Sequence, residues 1–382
     1  MMNNQQNNAF FVSGRRSVFA KAFKGTFKDV RPDDLLTELL ARYCETNPIL
    51  WNVGPSDLIA GCAYPEGEQG YNIARMVALG CGIQVPGCTV NRLCASSLEA
   101  VAMAAARVRS GWGDSFLVCG VESMSRIPRR GGSFSPSENI KDTCAEAYIA
   151  NGETAELVAR KYQHLCRLEQ EDFAARSHQL ADQAFADGKY KSQVVDSGAE
   201  RDELIRVPVD REKMASLSPA FAEDGVVTAA TSSPLTDGAT AGWVVSQAVA
   251  KEAGVKTGLE ILDVYVAHVA PEVMGMGPVP ATRELLQRNN LSVNDIAAFE
   301  INEAFAIQVL ASMEELNIPL DVVNTWGGAL AIGHPLGASG LRLVMTLHDR
   351  LLEMNQPNSL GIATLCVGGG QGMSVLFKFV EF

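Results

Sequence analysis

The chain has 382 residues, 47% of them apolar and 20% charged, and its 32 basic against 44 acidic side chains leave a net charge of −12. That is enough chain for two or three domains, or for one large duplicated fold with a substantial core. The composition excludes disorder, the acidic balance excludes a binder that works by neutralising nucleic-acid phosphates, and no stretch supplies the roughly 20 apolar residues of a membrane span.

An Asn/Gln-rich tail opens the chain and leads into the apolar run Ala9-Phe10-Phe11-Val12. The run suits a strand better than a signal peptide, so the cytoplasm is the expected compartment. Nine cysteines are scattered without a C-x-x-C pair. Neither a disulfide framework nor a zinc knuckle is expected, and the close pair His164 and Cys166 lacks the further ligands that structural zinc requires.

Asp57-Leu-Ile-Ala-Gly-Cys-Ala reads as a buried strand, Cys88-Thr-Val-Asn as another, and a helix runs from about Ser97 to Arg107. Ala, Leu, Val and Met occupy nearly all faces of that helix and Glu99 is its one interior charge, so it is predicted to be buried all round. SFLVCG follows at 115–120 as a strand. The same alternation returns about 240 residues later, from Asp57 to Asp295 and from Val90 to Gly333, with the strand Asp295-Ile-Ala-Ala-Phe-Glu-Ile, the helix-opening turn GHPLGASG and the strand GIATLC. A duplicated α/β fold is therefore predicted, with central helices between two sheets in five α-β-α-β-α layers and the site where the halves meet. Residues 1–120 with about 236–257 form the first half and 258–382 the second. Between them, 121–235 is an inserted loop domain richer in charge, with helical stretches Thr154–Tyr162 and Gln170–Asp187. A lid or ligand-gripping role and a plain structural insertion fit that composition equally.

Cys94 precedes the first buried helix among the small polar residues Asn91, Ser96 and Ser97. A helix N-terminus lowers a thiol's pKa, which favours a nucleophile over an inert packing cysteine. His334 stands in the glycine-rich run Gly327–Gly340, where the backbone can approach a ligand and the imidazole can act as base or oxyanion donor. Cys366 opens CVGGGQG, whose backbone amides could form an oxyanion hole. That glycine run is followed by a strand, so it does not match a dinucleotide fingerprint, and a GxSxG elbow is absent. Asn302 and Glu303 emerge from an apolar strand, either as a cap or as a site that holds water and substrate.

Together, VNRLCASS around Cys94, GVESMSRIP at 120–128, NEAF at 302–305, GGALAIGHPLGASG at 327–340 and CVGGGQG at 366–372 resemble the thiolases, the acyl-CoA C-acyltransferases of fatty-acid and related metabolism. The resemblance runs from about Phe10 to the C-terminus, and EQGYNIAR at 68–75 resembles the 3-ketoacyl-CoA members most. It implies reversible cleavage of 3-ketoacyl-CoA through an acyl-Cys94 intermediate. His334 would activate Cys94, Cys366 would move the α-carbon proton, and Asn302 would hold the water of one oxyanion hole. The backbone N–H groups of Cys94 and Gly368 would form a second hole. Ser233, Met274 and Phe305 would contact the CoA arm and the acyl end. The resemblance further implies CoA and acyl-CoA as substrates with no permanently bound cofactor, a homodimer or homotetramer, and association in some catabolic members with a multifunctional β-oxidation subunit.

Three departures bear on binding: Ser218 stands where the family commonly has Arg, Asn151 where many members have Met, and the N-terminal signature reads Arg16-Ser17-Val18. Two alternatives follow, an acyl-CoA-binding protein without turnover and a condensing enzyme that takes carrier-protein-bound acyl groups. The latter class pairs one Cys with two His, whereas this chain has a second Cys. Because CoA is anionic, an acidic protein needs local positive potential, and Arg126, Arg129 and Arg130 are the expected source.

Overall fold

Short β-rich runs separated by helices build the ladder expected of an α/β chain. The computed structural model describes residues 8–46, 48–195 and 197–382, so residues 1–7 of the Asn/Gln-rich tail lie outside the described residues. The strands are β1 (Ala9–Arg16), β2 (Ala20–Lys21), β3 (Asp57–Gly61), β4 (Gly87–Val90), β5 (Ser115–Ser123), β6 (Thr236–Ser246), β7 (Thr257–His268), β8 (Ile296–Ile301), β9 (Leu360–Val367) and β10 (Gln371–Glu381). They hydrogen-bond in the order β4-β3-β5-β6-β1-β7-β10-β9-β8, with the short β2 on β6.

The duplication is visible in the pairing senses. In the first half β4–β3 and β3–β5 are parallel, and β5–β6 and β6–β1 antiparallel. In the second half β8–β9 is parallel, β9–β10 and β10–β7 are antiparallel, and a parallel bridge from Phe299 to Val323 stands where β4 stands in the first. Among the described residues β1 and β7 pair at Phe10↔Glu260 and Phe11↔Leu259, so the two predicted sheets share one hydrogen-bonded ladder.

Three apolar clusters define the layers. One packs the helices Pro32–Thr46 and Ile73–Gly80 onto the outer face of the first half. A second fills the space between the halves around the helices Ser96–Arg109 and Leu336–Met354. A third packs Pro278–Arg288 and Ala306–Leu316 onto the outer face of the second half. The order is α-β-α-β-α.

Where the two central helices cross, a Cβ built on Gly340 would lie 2.5 Å from the backbone N of Leu98. Only glycine allows that approach. The helix expected to be buried all round differs from expectation: Ala102, Met103 and Arg107 of Ser96–Arg109 are half-buried and Ala106 is exposed. The more deeply buried helix is Leu336–Met354, in which every residue from Leu336 to His348 is buried. Its polar residues concealed this in the sequence. Arg342 and Arg350 are each at most 1% exposed and converge on the buried Glu300 at 3.2 and 2.7 Å, which supplies the partner that buried charges require.

The insertion is less solvated than its composition implied. Its helices Asn151–Lys161 and Arg167–Ala186 contribute Val158 and Phe173 to the third cluster, with Tyr162 just after the first helix, beside Met274 and Phe305. Arg16 and Asp202 form a fully buried bidentate pair, at 2.7 and 2.8 Å, that ties the insertion to β1.

Candidate active site

Cys94 lies in the tight turn Leu93–Ala95 that opens the first central helix. The residue before it, Leu93, has φ +45°, an uncommon value for a non-glycine residue that places strain beside the thiol. Polar neighbours hold the turn. Asn91 Oδ1 accepts from Leu93 N at 2.8 Å, and Ser96 Oγ accepts from Arg92 N at 3.0 Å while donating to Leu93 O at 2.6 Å. The small polar residues that made Cys94 conspicuous therefore shape its turn.

The loop between β9 and β10 comes from the other half. Gly369 and Gly370, at φ +78° and +81°, turn the chain so that Gly368 lines one cavity with Cys94. Burial nevertheless dominates the thiol. It pushes Cys94 up to about 11, and the Gly368 and Cys94 amides offset only part of the shift. This reverses the direction expected from the helix N-terminus alone, because desolvation of the anion outweighs a half-charge dipole. Cys366 is also buried and raised, first by desolvation and then by Cys94 itself, which places the two sulfurs within electrostatic reach.

His334 follows Gly333, whose φ of +103° and Cβ position 2.7 Å from Thr236 and Leu204 side-chain atoms exclude other residues. Its backbone N donates to Thr236 Oγ1 at 3.0 Å. Nδ1 lies 2.5 Å from Ser339 Oγ, which in turn donates to Pro335 O at 2.9 Å. With the hydroxyl proton committed to the carbonyl, Nδ1–H is the donor and Nε2 keeps its lone pair. Asn302 Nδ2 stands 3.3 Å from that Nε2. The imidazole is driven down to about 3, by burial first and then by the charge of Arg342, so it is neutral at physiological pH.

Asn302 and Glu303 separate into two roles. Asn302 faces His334, and its buried Oδ1 has no hydrogen-bond partner among the described residues. Glu303 points the other way, accepting from Ser177 Oγ at 2.7 Å, Asn324 Nδ2 at 2.9 Å and Leu330 N at 3.1 Å, and thereby holds the loop that leads to His334. Glu122 of GVESMS plays a similar part. It accepts from Ala63 N at 2.8 Å, Gln69 Nε2 at 2.7 Å and Gly337 N at 3.0 Å, and so fastens the first half to the loop after His334.

Cys94, His334 and Cys366 line one pocket of about 90 Å³, whose wall includes Ser233, Met274 and Phe305. A larger groove of about 500 Å³ is reached across Pro234, which borders both. Lys21, His178, Arg206 and Lys213 line it. None of these four was singled out in the sequence, because they come from three distant stretches without a shared motif. Arg126, expected as a source of positive potential, is instead bidentate on Glu68. Arg129 and Arg130 line the pocket of Cys94, His334 and Cys366 rather than the groove. Among the described residues no group of three His, Cys, Asp or Glu side chains could hold a metal ion, and no helix is long and apolar enough to cross a membrane.

The neutral pair has a consequence for pH. A thiol near 11 leaves a thiolate fraction of about one in ten thousand at pH 7. Alkylation of Cys94 by iodoacetamide, followed by peptide mass, is expected to accelerate continuously from about pH 5 to about pH 9. A plateau below about pH 7 would indicate a thiolate-imidazolium pair and contradict this assignment.

Comparison with known proteins places these features in context. The sequence profile of the thiolase N-terminal domain matches residues 9–248 and that of the thiolase C-terminal domain residues 255–379. A 3-ketoacyl-CoA thiolase of Bacillus subtilis is 38% identical, over 97% of this chain and 99% of its own length. One from Colwellia psychrerythraea is 40% identical over 98% and 100%. Among solved structures, the dimeric peroxisomal thiolase of Saccharomyces cerevisiae superposes with a TM-score of 0.88 at 31% identity, covering 99% of this chain and 98% of that one. The acetyl-CoA acetyltransferase of Bacillus anthracis gives 0.87 at 32%, covering 99% and 100%.

Proposed function

This chain belongs to the thiolase family and is an acetyl-CoA C-acyltransferase, and from that premise we propose that it cleaves 3-ketoacyl-CoA by ping-pong transfer through Cys94. The observation that carries the residue assignment is the convergence of Cys94, His334 and Cys366 on one pocket, with Gly368 beside Cys94 in the adjoining cavity.

In the proposed cleavage, His334 Nε2 takes the proton of Cys94 as Sγ attacks the C3 carbonyl. The C2–C3 bond then breaks, its electron pair goes to C2, and Cys366 supplies the proton that completes acetyl-CoA. CoA enters, Cys366 removes its thiol proton, the CoA sulfur attacks the acyl carbon, and Cys94 Sγ leaves and recovers its proton from His334, which gives the shortened acyl-CoA and restores the enzyme. Run in reverse, the same steps are a Claisen condensation. The amides of Cys94 and Gly368 would stabilise the oxyanion formed on the acyl-enzyme, while His334 with a water held by Asn302 would stabilise the enolate oxygen. Each such donor contributes about 3 kcal/mol in comparable sites.

CoA is assigned to the larger groove, where Lys21, Arg206 and Lys213 supply the positive charge its phosphates need. Ser233 and Pro234 lie between the groove and the thiol, in keeping with passage of the pantetheine arm. CoA then serves as substrate without a resident cofactor. A homodimer or homotetramer is proposed on the dimeric yeast relative and on β4, which leaves one edge of the ladder open. Nine free cysteines suit the reducing cytoplasm. Thiolysis of acetoacetyl-CoA, followed by absorbance, tests the reading. Parallel double-reciprocal lines at varied CoA are expected, and no turnover would leave only a binding role.

A further inference from the structure

We propose that the acyl cavity beyond Cys94 is built for a chain ending in a carboxylate, held by Arg130 with Arg129, so that the preferred substrate is an ω-carboxy-3-oxoacyl-CoA. This rests on the thiolase reading of the same site.

Beside the catalytic pocket a cavity of about 260 Å³ starts at Cys94 and Gly368 and reaches outward to Phe134, Tyr148, Asn151 and Arg130. It lies apart from the groove that holds Lys21, Arg206 and Lys213. The cations needed for CoA phosphates are therefore already accounted for elsewhere. Arg130 lines both this cavity and the catalytic pocket, and Arg129 lines the latter.

Neither arginine pairs with a carboxylate among the described residues, although the chain is acidic overall and Arg126, three positions earlier, is bidentate on Glu68. Arg130 is nevertheless held in place. Its Nη2 donates to Tyr148 O at 3.0 Å and its guanidinium stacks 5.0 Å over the Phe134 ring. A guanidinium has five N–H donors, and one is engaged here, which leaves a planar fork for a carboxylate.

Asn151 is an independent observation. Its side-chain amide stands within about 4 Å of a Cβ built on Gly368, lines both cavities, and makes no hydrogen bond with the protein among the described residues. An alkyl chain packed there would leave that amide unpaired, whereas an acyl chain with a polar end offers it an acceptor.

The test compares thiolysis of 3-oxoadipyl-CoA and 3-oxohexanoyl-CoA, which share a chain length and differ by the terminal carboxylate. The wild type should favour the former in kcat/KM by about tenfold or more. The double variant Arg129→Met, Arg130→Met should collapse that ratio toward one, mainly through KM, and Arg130→Lys, which keeps the charge, should retain part of it. Preference for the uncharged substrate, or a ratio indifferent to the double variant, would overturn the proposal while leaving thiolase activity standing. Cleavage of neither substrate would overturn the thiolase reading itself.

Discussion

Replacing Cys94 with alanine is expected to lower kcat/KM for thiolysis by about 10⁴-fold or more while leaving the fold and CoA binding intact. The size follows from what the sulfur does. Without it no acyl-enzyme forms, and the oxyanion donors and bound substrates are left to a direct reaction that they cannot divide into two easier steps. The fold should tolerate the change, because Cys94 sits in a minor apolar cluster with Ala22, Ala63, Met124 and Leu336, outside the three large cores. Steady-state kinetics with circular dichroism as control decides the matter. Retention of more than about a hundredth of the activity would remove Cys94 from the mechanism.

Cys366→Ala should divide the two half-reactions. Condensation needs a base to take a proton from a weakly acidic carbon, a contribution of about 10²- to 10⁴-fold, and Cys366 is the second thiol in the pocket. Acylation of Cys94 by acetyl-CoA keeps the nucleophile and His334 and loses only the proton that Cys366 would give the departing CoA, whose thiolate can leave without it, so it should persist at reduced rate. The expected signature is release of one equivalent of CoA per active site with condensation lost. A variant that condenses at the wild-type rate would mean that another group moves the proton.

Much of this site was legible because its chemistry is carried on contiguous motifs. VNRLCASS, NEAF, GGALAIGHPLGASG and CVGGGQG each carry one candidate group beside the glycines and small polar residues that shape its turn, and folding brings Cys94, His334 and Cys366 to one pocket with Asn302 beside His334. The layered fold was legible for a related reason, since the strand-helix alternation repeats in the chain and the pairing senses repeat with it.

What escaped the sequence depends on tertiary burial. The pKa of Cys94 rises because burial desolvates the anion among residues distant in sequence, Ala22, Ala63, Met124 and Leu336, an effect no local dipole argument contains. The full burial of Leu336–Met354 could not be read from its sequence, because the partner of Arg342 and Arg350, Glu300, lies on a strand 42 to 50 residues away. Lys21, Arg206 and Lys213 meet around one groove only after folding, and Arg126 was a poor candidate for CoA because Glu68, distant in sequence, neutralises it.

The central claim is that Cys94 carries the acyl group. Mixing the Cys366→Ala protein with acetyl-CoA, quenching in acid and mapping the peptides by mass tests it most directly. The account predicts one adduct of about 42 Da, on the peptide that contains Cys94. An adduct on any other residue, or none while CoA is released, would contradict it.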